Sequence, residues 1–413
     1  MIYNSAIIGG GAAGLCAAIS LKQRDPSASV VILERLPRVG KKLITTGNGR
    51  CNITNLNITL ERYHGEDPAF CQSALEIYDR VYVEEFFAEM GVVFTFDEVG
   101  RAYPYSLQAS SVVDALRYTA ELKGVEIRTE TTVTALQKKG NTFLLQTELE
   151  TVEADTVLVA TGLLSGGNAV GCDGLMLRAL QQHGFRVNPT TPAIVQLKTE
   201  TDVVRQLKGI KVNGTVTLLC DGKPVRSETG EILFCDYGLS GPPILQVSRA
   251  VERTPGQYTV RLDLMPDYEP DRLYKLLQYR VNTLYNRTVA EFFTGLLNKR
   301  VGQVLMKSCG YAPAMSVAAL HRADILKISQ AVKDFKIRVT GTTGFANSQV
   351  TAGGLDTAGF DPQTMMSRKI PGLFAAGEIL DIDGDCGGFN LQWAWSSAMC
   401  AADGICIYLG ELQ

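Results

Sequence analysis

Six residues near the N-terminus constrain the fold more than any others. Gly9-Gly10-Gly11-Ala12-Ala13-Gly14 joins the apolar run Tyr3 to Ile8 to the small-residue segment Leu15 to Leu21. A G-x-G-x-x-G spacing between a buried strand and a helix fits the turn of a β-α-β dinucleotide-binding unit. In that turn Gly9 allows the tight bend, Gly11 lets backbone approach a pyrophosphate, and Gly14 lets helix and strand pack closely. Ala12 and Ala13 add free N–H groups at the positive end of the helix dipole. The next strand, Val30 to Leu33, ends at Glu34, placed to accept hydrogen bonds from adenosine ribose hydroxyls, with Arg35 beside it.

A chain of 413 residues accommodates two or three domains, and 46% hydrophobic with 20% charged residues is ordinary for a globular protein. The formal net charge is −3, and Lys and Arg are scattered, so no nucleic-acid partner is expected. Ala6 to Leu21 is apolar, but no basic residue precedes it and glycines crowd its centre, which argues against a secretory leader. No other run approaches the ~20 apolar residues that cross a bilayer. A cytoplasmic protein with no membrane partner is the expectation. Ten cysteines without a C-x-x-C pair read as reduced, mostly buried thiols, and three separated histidines give no metal-ligand spacing.

Farther along, Val112 to Leu122 has helical spacing, Val125 to Leu136 is rich in β-branched residues, and Asp155 to Ala160 is a buried strand closing at Thr161-Gly162. From Pro189 the texture changes. Ile210 to Leu219, the tight turn Asp221-Gly222, Ile232 to Phe234 and Tyr258 to Leu264 predict an antiparallel sheet or small barrel. Pro266 to Lys327 carries helical spacing. The predicted fold is therefore α/β, a Rossmann-like FAD/NAD(P)-binding domain (1–188 and 342–413) that is discontinuous. It is interrupted by an antiparallel β-barrel (189–265 and 328–341) and a small all-helical insert (266–327).

FAD and NAD both use the N-terminal unit, and the C-terminal return separates them. In Gly372-Leu373-Phe374-Ala375-Ala376-Gly377-Glu378 an apolar strand presents an acid suited to ribityl hydroxyls. Gly384-Asp385-Cys386-Gly387-Gly388-Phe389-Asn390-Leu391 then opens a helix, Gln392 to Tyr408, whose start can place N–H groups at the flavin N1 and C2 carbonyl. FAD is the predicted cofactor, held there by Gly377, Glu378, Gly388, Asn390 and Leu391. The loop Gly40 to Asn55 reads as a cofactor wrap, with Lys41, Lys42 and Arg50 as cations and Gly47, Asn48, Cys51 and Asn52 among its turn and amide residues. Disulfide reductases need a cysteine pair here, and Cys51 stands alone. Val133 is a candidate for backbone hydrogen bonds to adenine, and Thr161-Gly162 for a place beneath the cofactor.

Gly40-Lys41-Lys42-Leu43, Thr46-Gly47-Asn48-Gly49-Arg50-Cys51-Asn52 and Thr54-Asn55 resemble the hallmark of a bacterial flavoprotein family that includes aminoacetone oxidase and a bile-acid dienone reductase. Further matches are Gly100-Arg101 with Pro104, Gly238-Leu239-Ser240-Gly241-Pro242, Val350-Thr351-Ala352-Gly353-Gly354 and Gly387-Gly388-Phe389-Asn390-Leu391-Gln392. The resemblance covers essentially the whole chain and implies an FAD domain interrupted by a barrel and a helical insert. Cys235-Asp236 stands where many relatives have Thr-His, which bears on specificity if that turn faces substrate.

The expected activity is two-electron transfer through flavin N5 on a small organic substrate held between the FAD domain and the inserts. Reduction of a conjugated enone such as a dehydro bile acid, linked to NAD(P)H, is one form of it. An amino-ketone oxidase releasing hydrogen peroxide and a non-enzymatic flavin sensor are the alternatives, and an RNA-modifying role is disfavoured by the missing basic patch. Tyr237 and Tyr103, beside glycine- and proline-rich turns, are the candidate proton donors. NADH or NADPH, if used, is expected to bind transiently, because no second strand, G-x-G-x-x-G and helix follows Ala160-Thr161-Gly162. Oligomeric state is not legible.

Overall fold

The computed structural model describes residues 2–412. The chain divides into two compact units, Met1–Pro192 with Phe345–Gln413, and Ala193–Gly344.

The first unit is built on a seven-stranded sheet. Strand β1 (Ile2–Ile8) leads through the glycine turn into helix α1 (Ala12–Arg24) and on to β2 (Val30–Leu33). Then follow β3 (Glu126–Arg128), β4 (Val133–Lys139), β5 (Thr142–Thr147) and β6 (Thr151–Val159). Their order across the sheet is β3-β2-β1-β6-β5-β4, and the strand Leu373–Ala375 pairs with the second half of β6. Strand β2 runs parallel to both β3 and β1, and β6 runs parallel to both β1 and the strand Leu373–Ala375. On the other side β6, β5 and β4 form an antiparallel meander.

Register then assembles one edge. Ile8 stands opposite both Leu33 and Val159, and Val159 opposite Ala375. The residues that leave the sheet next, Gly9, Glu34, Ala160 and Ala376, therefore emerge side by side at the carboxyl ends of parallel strands, the end where open α/β sheets bind ligands.

Helix α1 is buried on nearly every side, from Ala13 through Lys22, as is the C-terminal helix Phe389–Leu412 over most of Phe389 to Ile405. Small residues in α1 permit that double coverage, and Cys16 Sγ reaches the Trp395 carbonyl at 3.8 Å. The stretch Val125 to Leu136, which reads as uniformly β-forming, divides into β3 and β4 on opposite edges of the sheet, with Glu130 turning at φ +51° between them.

In the second unit six strands close a barrel: Leu197–Thr199, Gly238–Ser240, Lys223–Phe234, Lys211–Cys220, Tyr258–Asp263 and Phe335–Thr342. Asp221 (φ +48°) and Gly222 (φ +79°) make the hairpin turn expected there. Helices Pro270–Thr283, Lys299–Ser308 and Arg322–Lys333 precede the closing strand, which begins at Phe335. Barrel residues such as Val216 and Leu262 and helix residues such as Leu277, Leu305 and Ile328 belong to one apolar core.

Candidate active site

The glycine turn separates what the fold needs from what a ligand needs. A Cβ on Gly9 (φ +104°) would meet the Ala160 carbonyl oxygen at 2.6 Å, and one on Gly14 would meet the Gly9 oxygen at 1.9 Å. Both positions are glycine because protein backbone fills the space. Gly11 differs: a Cβ there would have nothing within 4 Å. The N-terminus of α1 has no side-chain cap and no acid in its first turn, so the N–H groups of Ala12 and Ala13 begin an uncompensated positive end.

Glu34 is 9% exposed, and both carboxylate oxygens accept backbone N–H groups, Oε2 from Gly10 and Oε1 from Leu36, each at 2.8 Å. Burial pushes its pKa up, and the Leu36 and Gly10 hydrogen bonds pull it partly back. Val133 opens β4 just past Thr131, whose N–H donates to the Glu34 carbonyl at 2.9 Å. Arg35 forms an ion pair with Asp173.

A second cluster surrounds Glu378. Its Oε1 accepts the Ser165 hydroxyl at 2.6 Å and the Thr351 N–H at 2.8 Å, and its Oε2 pairs with Lys42 Nζ. Burial alone would lower the Lys42 pKa; the Glu378 charge, Cys172 and the Glu378 hydrogen bond together outweigh it, so the net shift is upward. Gly162 (φ +62°) leaves room beside this carboxylate: a Cβ there would stand 3.6 Å from Glu378 Oε2. Thr161 turns its hydroxyl to the Gly162 carbonyl at 3.2 Å. Gly377 (φ +73°) donates to Ser397 Oγ at 2.9 Å, accepts from Trp393 Nε1 at 3.1 Å, and would bring a Cβ to 3.2 Å from the Ala13 methyl. The C-terminal return thus packs on the first turn of α1.

The wrap loop is fastened to the start of the C-terminal helix. Gly47, Asn48, Gly49 and Cys51 all take positive φ. Cys51 is fully buried and its thiol is pushed up to about 12 by burial, which marks it as packing. With its amide turned so that nitrogen faces Thr54 O and oxygen faces Gly388 N, Asn52 bridges the two at 3.1 and 3.2 Å, and Asn55 Nδ2 donates to Gly387 O at 2.7 Å. A Cβ on Gly388 (φ +101°) would stand 2.3 Å from the Thr54 oxygen. Asn390 spends its amide on Gly384, accepting from N and donating to O at 2.8 Å each. Leu391 follows in the first turn of that helix, partly buried. Lys41 and Asn48 lie toward solvent, both exposed.

The two tyrosines fall in different units. Tyr103 is buried beneath the wrap loop, with the Arg50 guanidinium 4.7 Å from its ring centroid, and burial raises its pKa. Tyr237 is 37% exposed in the barrel unit, and its pKa is raised by partial burial and then by Cys235. The sequence reading passed over Ser165 and named Thr351 only as part of a motif. Their signal, hydroxyl residues one and two positions before a glycine pair, is visible only once both meet Glu378.

These residues fit FAD: an open backbone position at Gly11, an uncompensated helix N-terminus, and a buried acid beside them at the end of the second strand. When bound, FAD supplies two-electron transfer at its N5. Among the described residues no helix is long and apolar enough to cross a membrane.

The HI0933-like protein Rossmann domain family matches residues 3–404. A 3-dehydro-bile acid delta(4,6)-reductase of Clostridium scindens is 35% identical over 96% of this chain and 97% of its own. A ribosomal RNA dihydrouridine synthase of Escherichia coli is 30% identical over 97% of this chain and 98% of its own. Among solved structures, a 3-ketosteroid-delta4-(5alpha)-dehydrogenase of Rhodococcus jostii has a TM-score of 0.50 at 18% identity, covering 98% of this chain and 96% of that one. The quinol fumarate reductase of Escherichia coli has a TM-score of 0.52 at 16% identity, covering 100% and 71%. Both show the fold. The chain belongs to the HI0933-like Rossmann-domain family and is an FAD-dependent oxidoreductase.

Proposed function

We propose that the enzyme saturates a carbon–carbon double bond conjugated to a carbonyl in a small organic substrate, using reducing equivalents that NADH or NADPH delivers to the flavin. The observation that carries this reading is the 35% identity, over 96% of the chain, to a reductase of a dehydro bile acid. Two further relatives, both ribosomal RNA dihydrouridine synthases, support the same bond chemistry. Making dihydrouridine adds hydrogen across the uracil 5,6 double bond, which is conjugated to the 4-carbonyl.

In this reading Gly11, Ala12 and Ala13 bind the pyrophosphate, Glu34 the adenosine ribose, and Glu378 with Lys42 the ribityl end. Gly388, Asn390 and Leu391 supply the helix start that faces the pyrimidine ring. The net charge of −3 favours a small molecule over nucleic acid. A uracil base in ribosomal RNA is the second reading, favoured by two relatives at 29% and 30% identity.

The test has three arms. Photoreduced enzyme is mixed without oxygen with a 3-oxo-4,6-diene steroid acid or with ribosomal RNA lacking dihydrouridine, and oxidised enzyme is given aminoacetone in air. Reoxidation of the flavin by the steroid, with a product two hydrogens heavier, supports the proposal. Reoxidation by RNA alone selects the second reading, and turnover confined to aminoacetone, with peroxide formed, selects an oxidase.

A further inference from the structure

A histidine–carboxylate pair lies at the start of the C-terminal helix, and none of the roles above uses it. Strand Tyr63–His64 runs antiparallel to Asp383–Gly384, with His64 opposite Asp383, and the Asp385 N–H donates to the Arg62 carbonyl at 2.9 Å. His64 Nε2 stands 2.8 Å from Asp385 Oδ1, and Arg62 approaches Oδ2 at 3.3 Å. The Asp385 side chain is 4% exposed and the His64 side chain 24%. The Asn390 amide clamps Gly384, so the pair is tied to the turn in which Gly387 (φ +128°) and Gly388 (φ +101°) open the helix.

A buried carboxylate that accepts from Nε2 fixes the tautomer and the ring orientation and leaves the other nitrogen available. Nδ1 has no hydrogen-bond partner among the described residues. The charged and titratable neighbours are Arg62 and Glu66 on its own segment, Asp383, Asp385 and Cys386 on the facing turn, and Arg101, which acts on Cys386.

We infer that His64, oriented by Asp385, holds at Nδ1 the proton that saturation of the conjugated double bond consumes; this rests on the reductase reading above. The substrate's β carbon takes a hydride from the reduced flavin. The double-bond pair moves toward the carbonyl, and the resulting enolate takes the Nδ1 proton at its α carbon. The saturated ketone leaves, neutral His64 regains a proton from solvent, and a reduced nicotinamide restores the flavin's two electrons.

The experiment compares wild type, His64→Gln, His64→Gly and Asp385→Asn, each loaded with FAD and photoreduced. The probe is a 3-oxo-4,6-diene steroid acid, and 15N-histidine spectra are recorded in parallel. Removing a general acid costs about 10²–10⁴-fold, so His64→Gln is expected to reoxidise at least about a hundredfold more slowly at unchanged FAD content. Added imidazole should restore much of the rate to His64→Gly, a rescue that a merely structural histidine would not give. Asp385→Asn should fall between. Of the three histidine signals, that of His64 should shift on flavin reduction, and those of His183 and His321 should not. Wild type that no conjugated enone reoxidises rejects the reductase reading and the role of His64 with it. Wild type that reoxidises, alongside His64→Gln at the same rate and with an unmoved His64 signal, rejects His64 alone.

Discussion

The Gly10 N–H donates to Glu34 Oε2 at 2.8 Å, so the acid that ends the second strand also holds the glycine turn that follows the first. Leu36 N–H occupies the other oxygen. Replacing Glu34 with Gln points an amide donor at one of two buried N–H groups. An unsatisfied buried group costs about 1–3 kcal/mol, and urea unfolding of the apoprotein should show a loss of that order together with weaker FAD retention. The pH dependence follows from the raised pKa. A carboxyl whose folded pKa exceeds its unfolded value contributes stability that is full below the unfolded value and is lost as pH rises through the folded one. The advantage of wild type over Glu34→Gln is therefore expected to grow as pH falls from neutrality toward 4.5, the ordinary value for the side chain. A pH-independent difference would contradict it.

Two glycines three residues apart should respond differently to one methyl group. Gly14→Ala drives a Cβ to 1.9 Å from a backbone oxygen, a clash that no rotamer relieves. Overpacking costs about 1–3 kcal/mol and more where backbone must move, so low yield and a depressed unfolding midpoint are expected. Gly11→Ala meets open space and should fold normally while binding FAD roughly tenfold more weakly or worse, the loss expected where backbone must approach a pyrophosphate. Equal FAD affinity in Gly11→Ala would place the pyrophosphate elsewhere.

What was legible in the sequence was local. The glycine turn, Glu34 at the end of the second strand and the Asp221-Gly222 hairpin each follow from a few adjacent residues, and the structure has them where expected. Long-range pairing was not legible. Nothing near Arg35 announces Asp173 as its partner, and the β-branched stretch after Lys123 gives no sign that its halves join opposite edges of one sheet. Asn390 shows a related limit. Its position in a motif marks it as important, and only the structure shows its amide closed on Gly384. His64 carries no motif at all, and its partner Asp385 lies 321 residues farther along the chain.

Lys42 and Glu378 link the wrap loop to the C-terminal return, with side chains 25% and 18% exposed. Breaking a fully buried pair costs about 3–5 kcal/mol, and partial exposure reduces this to about 1–3. Lys42→Met should cost that much, because the Glu378 charge keeps only the Ser165 and Thr351 donors. Adding Glu378→Gln removes the stranded charge, so the double variant is expected to recover part of the loss. Strict additivity in this double-mutant cycle would show that the two side chains do not interact.

The last expectation concerns electron delivery. After β6 the chain passes Ala160-Thr161-Gly162 without a strand, makes a short 3-10 turn at Gly167–Val170 and one helix, Leu175–Gln182, and then enters Val187–Ala193. A second nucleotide-binding β-α-β unit needs about thirty residues and a parallel strand on each side of its helix. No strand lies between Val159 and Val187 among the described residues. A nicotinamide therefore has no dinucleotide fold of its own in this stretch, and it is expected to use the substrate's place at the flavin and leave before substrate enters. That order gives parallel double-reciprocal lines, with the substrate inhibiting competitively against NADH or NADPH. The check is steady-state kinetics at several fixed concentrations of each reactant, joined to anaerobic mixing of oxidised enzyme with either nucleotide. Intersecting lines, or a ternary complex of nicotinamide and substrate on one flavin, would require a separate nucleotide site. Flavin that neither nucleotide bleaches, yet an organic substrate reduces, would point to an oxidase.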